Sequence, residues 1–132
     1  MNNLKTVVLI LVSFLFLFSC GKDKLEIKDG TYKGVFTVTY GSEKSIGETK
    51  VTLNNGKYKC SGNFNRVPAG GSGKYSIENG KIKFQDENFW TTDFDWNLIL
   101  NGEYDYTFDG KKLKISATKN DVGRYEYDLE KN

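Results

Sequence analysis

The sequence predicts an all-β domain, an eight-stranded antiparallel up-and-down meander closed into a barrel, behind a short apolar N-terminal helix. Three observations carry that prediction. From Gly30 onward, apolar residues recur at every second position, the period of a strand with one buried face. Asparagine-glycine and aspartate-glycine pairs punctuate these runs where tight hairpins need positive backbone φ. The composition, with Gly 14, Pro 1, Phe 9, Tyr 8 and Trp 2, suits short strands and turns rather than a helical bundle. Short links between consecutive strands favour a meander, and closure hides the edges that would otherwise invite aggregation. The alternative is a two-layer sandwich.

Taken in order, Tyr32, Gly34, Phe36, Val38 and Tyr40 share one face of the first strand against Thr31, Lys33, Thr37 and Thr39. Thr49, Val51 and Leu53 line a second, and Asn54-Asn55-Gly56 turns it into a third with Tyr58, Cys60, Gly62 and Phe64 inward. Residues 66–73 (RVPAGGSG) read as the main flexible loop, without the lysine and spacing of a phosphate-binding loop. Gly73, Tyr75 and Ile77 then pair through Asn79-Gly80 with Ile82 and Phe84. Residues 89–96 (FWTTDFDW) break the alternation. Beyond them Leu98, Leu100, Gly102, Tyr104, Tyr106 and Phe108 keep one parity, which predicts a single long strand with a bulge or close crossing at Gly102. Asp109-Gly110 leads into Leu113, Ile115 and Ala117, and a polar loop at 118–121 into Tyr125, Tyr127 and Leu129.

On this parity all Tyr 8 fall on the inward side. A buried phenol contributes apolar area, but its hydroxyl needs a partner. The expectation is therefore a polar-lined cavity or an internal hydrogen-bond network. The alternative is a barrel filled by its own side chains, for which eight strands are just wide enough.

The N-terminus carries a different signal. A single positive charge at Lys5 precedes an apolar run from Thr6 to Phe18, shorter than the roughly twenty residues a membrane-spanning helix needs. Leu17-Phe18-Ser19-Cys20 closes that run, and the segment resembles the signal of bacterial lipoproteins. The resemblance implies lipid attachment to the Cys20 thiol and cleavage before it, with Phe18 bulkier than the usual residue at its place. An ordinary secretory signal cut near Ser19 is the alternative. The chain then divides into a signal at 1–19, a solvated lipidated tether at 20–29 and a barrel domain at 30–132. Among lipoproteins, Gly21 resembles the outer-membrane sort, which implies a place in the cell envelope, periplasmic or surface-facing. With Cys20 lipidated, Cys60 has no disulfide partner in the chain.

Charge and residue types narrow the function. Lys and Arg total 19 against 17 Asp and Glu, a balance that points to neither nucleic acid nor an acidic membrane surface as partner. Histidine is absent, and with it the commonest general base and metal ligand. A noncatalytic monomer without cofactor or metal is expected. Asp93, Asp95 and Asn97 begin like a calcium loop, but Leu98 stands where glycine is required and Tyr104 where the bidentate glutamate belongs.

The candidate binding residues are Trp90, Asp93, Asp95 and Trp96, with Tyr104 and Tyr106 lining the barrel mouth. Two indoles flanking two carboxylates can stack on a sugar ring while polar groups take its hydroxyls. The plain alternative is an aromatic plug closing one end of the barrel. Gly30-Thr31-Tyr32-Lys33-Gly34 and, further on, LILNGEYDYTFDGKKLKIS resemble the small lipocalin-like barrels of bacterial lipoproteins, with Tyr32 where the calycin pattern has tryptophan. That resemblance implies an up-and-down barrel on a lipid leash, sometimes with a ligand in its mouth. Ser72-Gly73-Lys74-Tyr75 and Phe89-Trp90 resemble the lysozyme-inhibitor lipoproteins, which implies an inhibitor of a cell-wall-degrading enzyme as a third reading. The expected function is a lipid-anchored envelope protein binding a small molecule or glycan. The competing reading is a structural or interaction module whose partner docks on residues 66–73.

Overall fold

The alternating runs become eight strands in a computed structural model of the protein, which describes residues 25–132. They are β1 (Gly30–Tyr40), β2 (Glu43–Asn54), β3 (Lys57–Cys60), β4 (Gly71–Glu78), β5 (Lys81–Asp86), β6 (Gly102–Phe108), β7 (Lys112–Lys119) and β8 (Gly123–Lys131). Each pairs antiparallel with its neighbours in sequence, and β1 pairs with β8 to close the barrel. The expected signal helix at 1–19, the lipidation of Cys20 and the start of the tether lie outside the described residues.

The turns act as their residue types require. Asn55 and Gly56 both have positive φ, 51° and 74°, and so do Asn79 and Gly80 at 53° and 73°. That pair of angles matches the right-handed twist of the flanking strands. In β1, a Cβ at Gly34 would collide with the Asp128 carbonyl of β8, so glycine is what lets the first and last strands close on each other.

Aromatic rings fill the interior. Tyr58 meets Phe84 at 4.8 Å between centroids, Phe84 meets Tyr104 at 5.8 Å, Tyr104 meets Tyr127 at 6.1 Å and Tyr127 meets Phe36 at 4.7 Å. These contacts run from β3 across the barrel to β1, so side chains occupy its middle. Tyr40 and Tyr75 are half-buried and the other tyrosines buried, as the parity predicts. Their hydroxyls are mostly engaged: Tyr32 donates to the Lys28 carbonyl at 2.5 Å and Tyr58 to the Leu100 carbonyl at 2.6 Å. The Tyr127 hydroxyl, at the centre, is buried without a hydrogen-bond partner.

Several expectations are corrected. The third strand stops at Cys60, and Phe64, expected inward, is 100% exposed. Asn63 is the reason: its side chain accepts from the Val67 N–H and donates to the Val67 carbonyl, bending the chain out of the sheet. The expected flexible loop at 66–73 is packed down, with Pro68 and Gly70 buried and Gly71 already in β4. Ile77, also expected inward, is 42% exposed where β4 runs out toward its hairpin. The single long strand from Leu98 does not form; Trp96–Leu98 is a 3-10 turn and β6 begins at Gly102. Tertiary bonds decide this, because the Leu98 carbonyl accepts from Ala69 N at 2.9 Å and Leu100 N donates to the Gly70 carbonyl at 2.8 Å. Leu98 and Leu100 still pack against the core, so parity survives without the strand. The segment before Gly30 is not wholly solvated either, since Ile27 is buried.

The meander gives the barrel two unlike ends. Residue 27, the hairpins at 55–56, 79–80 and 109–110, and the C-terminus share one end, called the near end. The turn at 41–42, the segments 61–70 and 87–101 and the turn at 120–122 share the other, the far end.

Candidate functional site

The far end is built over the segment that breaks the alternation. Asp95 starts its 3-10 turn, with Oδ1 accepting from Asn97 N at 2.9 Å, the usual role of a short polar side chain before a helical turn. The other carboxylate oxygen points into the barrel. It accepts from the Tyr40 hydroxyl at 2.5 Å and the Tyr125 hydroxyl at 3.1 Å, and these phenols lie 3.2 Å apart. Burial works to raise the Asp95 pKa, but the bonds from Tyr40, the Asn97 backbone and Tyr125 outweigh it and hold the carboxyl below its usual range. Asp95 thus latches the segment to β1 and β8.

Lys119, the last residue of β7, lies beside this latch. Its Nζ donates to the Tyr104 hydroxyl at 2.8 Å and the Asn101 carbonyl at 3.0 Å, and sits 4.8 Å and 5.3 Å from the ring centroids of Tyr104 and Tyr125. Burial pushes its pKa down to about 8, against the opposing pull of Asp95.

Asp93 faces outward instead. It accepts from the Thr91 hydroxyl and from Arg66 Nη1 at 3.1 Å, which hold its pKa below the usual range. The Arg66 guanidinium also lies 4.3 Å from the centroid of Phe94, whose ring meets Trp90 edge-on at 5.8 Å.

Trp90 is fixed at its polar end by Asp86, which accepts from the indole N–H at 2.6 Å. The same carboxylate accepts from Ser72 N at 2.9 Å, Asn88 Nδ2 at 2.6 Å and Asn88 N at 3.3 Å. Trp96 is pinned by its indole N–H to the Thr91 carbonyl at 2.8 Å and leaves 53% of its surface exposed. Between the indoles lies a groove of about 300 Å³, lined by Trp90, Trp96, Phe89, Asp86, Asn88 and Asn101 over Ile99.

The sequence-predicted residues therefore separate into three groups. Trp90 and Trp96 meet in one groove; Asp93 and Asp95 flank it, each bonded within the protein; Tyr104 and Tyr106 are buried in the barrel and do not line it. Sequence reasoning missed Asp86, Asn88 and Asn101. Asp86 ends a strand whose alternation had already ended, and the Asn101 side chain accepts from Asp86 N at 2.9 Å across a pairing that parity alone does not reveal.

Among the described residues, no three or more Cys, Asp or Glu gather as a metal site would require, and no helix is long and apolar enough to cross a membrane. No family model, curated protein or solved structure matches this chain.

Proposed function

We propose that the protein is a noncatalytic, lipid-anchored component of the cell envelope, a lipocalin-like barrel that binds a glycan in the groove between Trp90 and Trp96. The single observation behind this reading is that groove, with two indoles fixed by their N–H groups and Trp96 53% exposed, beside the side chains of Asn88 and Asn101. Sugar rings have apolar faces and polar rims, and a flat aromatic next to placed hydrogen-bonding groups complements both. The interior is occupied by the ring contacts between β3 and β1, which favours a ligand outside the barrel over one in its middle.

Anchoring rests on the Lys5 to Cys20 signal and is tested separately: Cys20→Ala should move the chain from the membrane to the soluble fraction. Binding is tested by titrating the protein with neutral oligosaccharides while following tryptophan fluorescence and melting temperature. A saturable shift that Trp96→Ala removes, with the melting temperature of the free variant unchanged, supports the reading. Absence of any shift across the series would overturn it.

A further inference from the structure

The carboxylates around the groove are all engaged within the protein. Asp86 accepts four hydrogen bonds, Asp93 holds Arg66 and Thr91, and Asp95 is turned inward onto Tyr40 and Tyr125. The cations are no freer: Arg66 is bonded to Asp93, and Lys119 sits over two rings on the interior side of Asn101. What remains for a ligand is flat aromatic surface, since the Asn88 amide is itself bonded to Ser72 and Asp86 and the Asn101 side-chain oxygen accepts from Asp86 N. An anionic sugar would meet the carboxylate of Asp86 and, among the described residues that line the groove, no cation to offset its charge.

Exposed apolar side chains stand at the same end. Phe89 is 105% exposed at the rim of the groove, and the exposed side chains of Phe64 and Val122 stand on the other far-end segments, with Ile46 exposed on β2. The chain enters the barrel at the opposite end, where Ile27 is buried and Asp29 accepts from Asn55 N at 3.0 Å. Between them β1 runs from Gly30 to Tyr40, about 25 Å along a barrel axis given the rise and tilt of barrel strands.

From these placements we propose that the ligand is an uncharged polysaccharide chain, gripped over more than one sugar by Trp90, Trp96 and Phe89, and presented on the side away from the anchoring bilayer. The proposal rests on the glycan reading and narrows it to neutral polymers reached in trans. A glycolipid in the same membrane would lie at the near end, beyond reach of the groove.

The test uses the full lipidated chain with cello- and chito-oligosaccharides of increasing length, and oligogalacturonides as the charged series. Affinity for the neutral series should tighten about tenfold from the monosaccharide to the longer chains, as one further stacked ring allows. Phe89→Ala, at a fully exposed position, should flatten that dependence, with an unchanged melting temperature showing that the fold is intact. In vesicles, the protein should co-sediment with insoluble cellulose or chitin, and a neutral glycolipid added to the same vesicles should not compete. Neutral binding that is independent of length, equal binding of the charged series, or competition by the glycolipid would overturn this inference while leaving the glycan reading standing. No binding to any sugar would overturn both.

Discussion

The indole N–H of Trp90 donates to Asp86 Oδ2 at 2.6 Å, and the other oxygen of that carboxylate accepts from Ser72 N at 2.9 Å at the start of β4. One side chain thus ties the groove to the barrel wall. Asp86→Ala should destabilise the protein by about 1–3 kcal/mol, the usual cost of leaving such donors unpaired. It should also weaken oligosaccharide binding about tenfold as Trp90 loses its fixed orientation. Denaturation and fluorescence titration of the same variant measure both; stability loss with full affinity would show that Asp86 does not position Trp90.

Two neighbouring tyrosines of β8 should respond in opposite ways. Tyr125 donates to Asp95 at 3.1 Å, whereas the buried Tyr127 hydroxyl has no partner. Tyr125→Phe removes a hydrogen bond to a charged acceptor and should cost about 1.5–3 kcal/mol. Tyr127→Phe deletes a group whose desolvation nothing offsets and should be neutral or stabilising by up to about 1 kcal/mol. Equal destabilisation in urea would contradict the assigned network.

Lys119 imposes a pH dependence whose sign follows from its surroundings. The native amine loses its proton at about 8, while the unfolded chain holds it to near 10.5. Between those values the unfolded state binds more protons, so stability rises with pH. Above the ordinary phenol value of 10.0 the trend reverses, because burial raises the pKa values of Tyr104 and Tyr125 and the unfolded phenols ionise first. Lys119→Met should abolish the rise and keep the alkaline fall. Urea midpoints across this range test it, and a variant retaining the rise would assign it to another group.

Cys60 should be inert in the native state. Burial pushes its thiol up to about 11, only partly offset by the Thr49 hydroxyl at 3.4 Å, and the side chain is enclosed by the core. A thiol-specific reagent should modify it only at the rate of barrel opening, and denaturant should accelerate the reaction steeply. Rapid labelling of the folded protein would mean that the β3 wall is open to solvent.

What the residues determine locally was legible in the sequence. Period-two patterning placed Tyr32, Phe36, Val51, Ile82, Ile115 and Leu129 inside because a strand's side chains alternate whatever its neighbours are. Asn55-Gly56 and Asn79-Gly80 declared their turns because few other residue pairs tolerate those φ angles. The far end was decided by the tertiary structure alone. Leu98 and Leu100 match a strand by parity, yet main-chain bonds to Ala69 and Gly70 draw them into a turn and a crossing. Asp95 reads as a surface carboxylate until Tyr40 and Tyr125, distant in sequence, bring two phenols to it. Periodicity carries information about one strand's faces; which loop meets which wall depends on closure, and closure is a property of all eight strands together.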